Sequence, residues 1–192
     1  MSQEKYIAKH KTIFNEDFEI KKTDNEYYYQ NELTKKLDGT LKSFNQEIIN
    51  EIVLWKVNRF AKVDEDTFSI INHIEIDSNK LEVEKTKQVL KKLLKTKGIQ
   101  LPMASTILRF RNKNIYQIID QRVYRIIYDG KTLKLNTHSS EKNINEQIDL
   151  YLDYLSHLRN TCEKLQIPFC DSDRILYMAD KRINKKIPLK NY

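Results

Sequence analysis

The stretch GIQLPMASTILRFRNKNIYQIIDQRVYR, residues Gly98–Arg125, decides how the chain is read. Gly98 can take the left-handed conformation that closes a helix, and Pro102 suits the first turn of the next one, so Lys97–Pro102 reads as a short helix–helix connection. The helix that follows spans Met103 to Arg111 and turns Ala104, Ile107 and Leu108 inward. Asn112–Asn114 then turns, and Ile115–Ile119 is apolar and compatible with an extended segment. It delivers Asp120 to the start of a helix over Gln121–Tyr128, which Asp129–Gly130 ends.

Upstream, Ile48, Ile49, Ile52, Val53 and Trp55 recur at helical spacing within Phe44–Phe60, the pattern of a buried helix. Asp64, Asp66 and Thr67 offer caps for a short helix carrying Phe68, Ile70 and Ile71. A further helix is expected from about Lys80 to Lys95, with Val83, Val89, Leu90, Leu93 and Leu94 inward. Lys85, Lys87, Lys91, Lys92, Lys95 and Lys97 line its other faces. Downstream, residues 131–142 are polar and loop-like. A long amphipathic helix follows over Asn145–Leu165, its stripe including Tyr151, Leu155, Leu158 and Cys162, and a last helix over Ser172–Ile183. Tyr151 and Tyr154 read as packing residues. Residues 1–40 read as an arm packing on a helical domain of 41–192, with a helix expected between Asn25 and Leu37 and the Tyr27–Tyr29 run fitting a strand or a helix edge.

The 192 residues suit one domain or two small lobes sharing a cleft, and 40% apolar content suffices for a core. Only three glycines and three prolines occur, too few for many tight β-turns, so the expected class is all-α. The net charge of +7 and pI near 9.2 permit a polyanionic partner. Two cysteines, Cys162 and Cys170, are too few for a disulfide scaffold or a four-cysteine cluster. His10, His73, His138 and His157 show no ligand spacing, so neither metal nor cofactor is expected. No apolar run approaches the roughly 20 residues that span a bilayer. The start MSQEKYIAKHK lacks the apolar segment of a signal peptide, and a cytoplasmic location is expected.

Two readings of Asp120 follow from the residues alone. A carboxylate at that position caps the Gln121–Tyr128 helix. A carboxylate entering from an apolar stretch is also partly desolvated, the setting in which proteins tune an acid for chemistry. The two roles are compatible. The amides of the preceding connection can face a phosphate, as helix N-termini do.

With these residues in place, Gly98–Arg125 resembles the core motif of the helix-hairpin-helix DNA glycosylase superfamily. There a hairpin L-P-G-V-G-x-x-T-A is followed, one helix later, by V-D-x-x-V-x-R. Gly98–Ala104 falls on the hairpin and Ile119–Asp120–Gln121–Arg122–Val123–Tyr124–Arg125 on the aspartate motif, with no gap between them. The resemblance covers about residues 45–130, with the hairpin unit near 81–111 and the aspartate motif at 115–128. It implies a two-lobed helical fold with a cleft, double-stranded DNA as partner, and Asp120 as catalytic aspartate. Gly98 and Gln100, and the cations Arg109, Arg111, Lys113, Arg122 and Arg125, would then hold the DNA backbone. Trp55, Lys56 and Asn58, near the end of the early buried helix, fall where the family fills the gap left by an extruded base. Pro102 stands where bifunctional members carry the lyase lysine, which implies a monofunctional enzyme working through the aspartate and water. Gln100 replaces the second hairpin glycine. The alternative is a non-catalytic helix-hairpin-helix module that binds DNA or a partner protein through the inherited cleft.

Overall fold

The computed structural model describes residues 11–27, 31–39, 43–56, 63–136 and 138–189. Eight α-helices run through them: α1 (Asn31–Asp38), α2 (Gln46–Lys56), α3 (Glu65–Asn72), α4 (Val83–Lys95), α5 (Leu101–Arg111), α6 (Gln121–Ile127), α7 (Glu141–Leu165) and α8 (Ser172–Ile183). Among the described residues there is no strand, so the architecture is all-α. Asn58 and its neighbours in 57–62 lie outside the described residues.

Local chemistry sets the helix ends. The Asp64 carboxylate accepts from the Thr67 amide at 2.7 Å and opens α3. Ser140 accepts from the Asn143 amide at 3.3 Å, which starts α7 at Glu141, four residues ahead of the expected Asn145. Gln166, at φ 53°, stops that helix in the left-handed region. Pro102 sits in the first turn of α5, which begins at Leu101. The helix expected between Asn25 and Leu37 is the shorter α1, and a 3-10 turn at Lys22–Asn25 precedes it.

Helix α5 is the hub. Leu101 and every residue from Met103 to Phe110 are buried, and the helix packs against α2, α3 and α4. Such a helix has no solvent face, which explains its weak amphipathic signal. Around it, α4 packs on α7 through a buried stripe that starts at Thr86, so Val83, expected inward, is exposed at the first residue of the helix, and α6 packs on both α7 and α8. Trp55 belongs to this core: it is buried, sets its ring edge-on to Phe110 at 5.4 Å, and donates from Nε1 to the Thr34 hydroxyl at 2.6 Å.

Between α5 and α6 the chain turns at residues 113–115 and then crosses the interior without regular secondary structure. Ile115, Tyr116, Gln117, Ile118 and Ile119 are all buried. A buried backbone group left unpaired costs about 1–3 kcal/mol, and side chains meet this demand. Tyr151 donates to the Gln117 carbonyl at 2.8 Å and Tyr154 to the Ile118 carbonyl at 2.7 Å. The Ile119 amide donates to Ser105 Oγ at 3.2 Å. Tyr151 and Tyr154 therefore do more than pack.

The N-terminal segment is tied to α8 and the end of α6. Lys11 and Asn184 exchange two hydrogen bonds of 2.7 Å, Arg182 holds Asp24, and Arg174 holds Asp38. No helix among the described residues is long and apolar enough to cross a membrane.

Candidate functional site

Asp120 stands at the point where the buried irregular segment becomes α6. Its backbone is extended, at φ −125° and ψ 147°, and Oδ1 accepts from the Arg122 amide at 2.8 Å. That bond makes it the helix cap. The other oxygen, Oδ2, lies 3.7 Å from Lys56 Nζ at the last residue of α2. This separation is too long for a direct hydrogen bond, yet short enough for charge attraction. The two side chains are 22% and 17% exposed, so the pair is partly shielded but reachable.

The fold thus brings together two candidates from separate parts of the sequence, Asp120 and Lys56. The segment before Asp120 is held by the Tyr154 and Ser105 bonds, so its carboxylate has little freedom to drift. Chemically, one oxygen is committed to the cap. The other can orient a water or face developing positive charge, while the Lys56 ammonium can face an anion.

A short connection, residues 96–100, joins α4 to α5. Gly98 has φ 87°, a conformation that L side chains rarely adopt. Gly98 and Gln100 are both exposed, and Gln100 caps α5 through its backbone, without a side-chain bond. Several α4 lysines are engaged: Lys85 with Glu82, Lys87 with Glu84, and both Lys91 and Lys95 with Glu141. Those two ammonium groups pull the Glu141 carboxyl down to about 2.

The five cations expected on the DNA backbone divide sharply. Arg109 and Arg125 correct that expectation. Arg109 is 1% exposed and pairs with Asp38, lies 3.8 Å from both Asp171 and Asp173, and donates to the Cys170 carbonyl at 3.2 Å. Arg125 is 2% exposed, and the buried Asp180 clasps it with two bonds of 2.6 Å. Both guanidiniums serve the interior, where no phosphate reaches. Arg111 closes the end of α3 by donating to the Asn72 and Ile74 carbonyls at 2.7 and 2.8 Å, and burial lowers its pKa. Arg122 shares Asp180 at 3.0 Å and stays partly exposed. Lys113 is exposed. Trp55, expected near an extruded base, is the core residue described above.

Two surface clefts lie elsewhere. One, of about 500 Å³, is lined by Phe44, Gln46, Glu47, Glu65 and Phe68 among others. A second, of about 310 Å³, is lined by residues including His73, Glu75, Asp77 and Arg111. Neither is lined by Asp120 or Lys56. Among the described residues no three His, Cys, Asp or Glu side chains converge as metal ligands.

The roles of Tyr151 and Tyr154 had one sequence signal: two hydroxyl-bearing rings on the stripe of α7 where aliphatic residues would pack equally well. A buried tyrosine hydroxyl needs a partner. The partner itself could not be named from the chain, because it is a carbonyl far away in sequence. No protein family, curated protein or solved structure matches this chain.

Proposed function

We propose that the chain is a DNA-binding monofunctional N-glycosylase that flips a damaged or modified base from the duplex and excises it with Asp120, acting in the cytoplasm. The reading takes the helices to form the two-lobed arrangement of the helix-hairpin-helix glycosylases, with the reacting nucleotide between the lobes. The observation that carries it is the Asp120–Lys56 pair, 3.7 Å apart at the start of α6, one helix after a glycine-closed connection.

In this reading the bond from the base nitrogen to C1′ of the sugar breaks, and its electron pair leaves with the base. The Asp120 carboxylate stabilises the positive charge left on the sugar and orients a water that attacks C1′. The water's proton passes to Asp120 or to the departing base. The Lys56 ammonium stabilises negative charge building on that base. Preorganised charges of this kind are worth about 10²–10³-fold each in rate.

The test is to incubate wild type and Asp120→Asn with labelled duplexes carrying uracil, 8-oxoguanine mispairs, alkylated purines or modified cytosines, followed by alkali. Alkali-labile sites made by wild type, reduced at least 10²-fold in Asp120→Asn at unchanged thermal stability, are expected. No labile site on any duplex sinks the proposal.

A second reading is a non-catalytic DNA- or protein-binding module. It is favoured by the two described clefts, neither of which reaches Asp120, and by the inward placement of Arg109 and Arg125. It expects salt-sensitive binding of equal strength in wild type and Asp120→Asn.

A further inference from the structure

Asp120, Tyr124 and Tyr128 follow one another at intervals of four residues, which puts them on one face of α6. The two tyrosine rings are stacked, 4.3 Å between centroids and 24° apart. Tyr128 is stacked in turn on His157 of α7, at 4.5 Å and 18°. Tyr128 therefore has both faces covered, and Tyr124 is the end ring of a three-ring column on the Asp120 side.

The rest of the column is tethered. Tyr128 donates to Asp153 at 3.0 Å, and a His157 ring nitrogen lies 3.0 Å from the Ile127 carbonyl. The hydroxyls of Tyr116, Tyr151 and Tyr154 are also bonded, to Thr86 and to the Gln117 and Ile118 carbonyls. Tyr124 differs: it is half-buried, and among the described residues its hydroxyl has no hydrogen-bond partner. One face rests on Tyr128 and the ring remains partly open.

We infer that the partly open ring of Tyr124 is a stacking platform for one unpaired nucleobase of a bound DNA strand, which continues the column beside Asp120. The inference rests on the nucleic-acid reading proposed above and adds a named contact to it. A nucleobase fits better than a partner protein's aromatic ring because two cations, Lys56 beside Asp120 and the partly exposed Arg122 beside Asp180, stand at the same end of α6 and make that end attractive to an anionic strand. Base–aromatic stacking does not depend on which base is presented, so the platform would hold the strand without selecting the lesion.

The test uses the full chain and a duplex with one bulged 2-aminopurine, whose fluorescence is quenched by stacking. Wild type and Tyr124→Phe are expected to bind and quench alike. Tyr124→Leu is expected to bind about ten-fold more weakly and leave the fluorescence unquenched. Equal quenching by Tyr124→Leu, or none by wild type, overturns the inference. Because Tyr124→Leu also removes a stacking partner of Tyr128, the unaltered chain is tested in parallel by photo-crosslinking to a bulged 5-iodouracil. An adduct on Tyr124 supports the platform; adducts confined to other residues overturn it. Excision on ordinary substrates is a separate readout. Quenching without excision removes the glycosylase reading and leaves the platform, and excision without quenching does the reverse.

Discussion

The Tyr154 hydroxyl meets the Ile118 carbonyl in the interior, two residues before Asp120, and nothing else in the described structure holds that oxygen. Tyr154→Phe keeps the ring and its packing but leaves the carbonyl unpaired, at a cost of about 1–3 kcal/mol in unfolding free energy. Urea denaturation measures it, with an unchanged m-value expected because the surface exposed on unfolding is the same. The same change loosens the backbone that aims Asp120. In an excision assay kcat is therefore expected to fall several-fold while KM stays put, since a positioning residue acts on the transition state. A stability loss with kcat untouched would show that the hydroxyl serves the fold alone. Lys56 and Asp120 differ from this tyrosine in being named as candidates beforehand, Asp120 from its place at a helix start and Lys56 through the family resemblance alone. That they face each other was not legible, because nothing local links α2 to α6.

At the scale of elements, the α6–α8 contact is built around a carboxylate in the interior. Asp180 is fully buried, clasps Arg125, reaches Arg122 at 3.0 Å and accepts from Asn184 at 2.8 Å. Arg125→Met strips away the principal partner and leaves a buried charge under-compensated, a loss of about 3–5 kcal/mol. Arg122 remains, so the lower end is expected. Adding Asp180→Leu to Arg125→Met should recover part of the loss, because the stranded charge goes with it; thermal unfolding of the single and double variants checks this. If the double variant is no more stable than the single one, the ion pair is not what joins these helices. Here the sequence and the structure part company for a definite reason. Helices α5, α6 and α8 could be placed from periodicity and caps: Pro102, Asp120 and the Ser172–Ile183 pattern are all local signals. The insides of the arginines could not. Arg109 is 71 positions from Asp38 and Arg125 is 55 from Asp180, and an arginine reads as a surface residue until the carboxylate that pairs with it is known.

For the whole molecule, two other carboxylates, Asp24 and Asp38, decide how the N-terminal segment is held. Asp38 at the end of α1 is bonded by Arg174 and Arg109, and Asp24 is bonded by Arg182. Burial alone would raise both carboxyl pKa values. At Asp38 the Arg174 bond and the charges of Arg109 and Arg174 outweigh burial, and at Asp24 the Arg182 bond does the same, so both values are lowered. A lowered value in the folded state means that the unfolded chain binds more protons just below the ordinary carboxylate pKa of about 4. The stabilisation is thus complete above that ordinary value and is lost as pH falls through the lower folded one. Urea midpoints measured from pH 7 down to pH 2 should fall steeply over the acid end of that range. Asp38→Asn should start lower at neutral pH, since Arg109 is left buried with weaker partners, and should then fall less steeply below about pH 4. Two curves that run parallel throughout would mean that the Asp38 charge does not anchor the segment. Curves that converge in acid would mean that it does, and that α1 is held to the helical body through Arg174 and through Arg109, a residue that the family resemblance places on DNA.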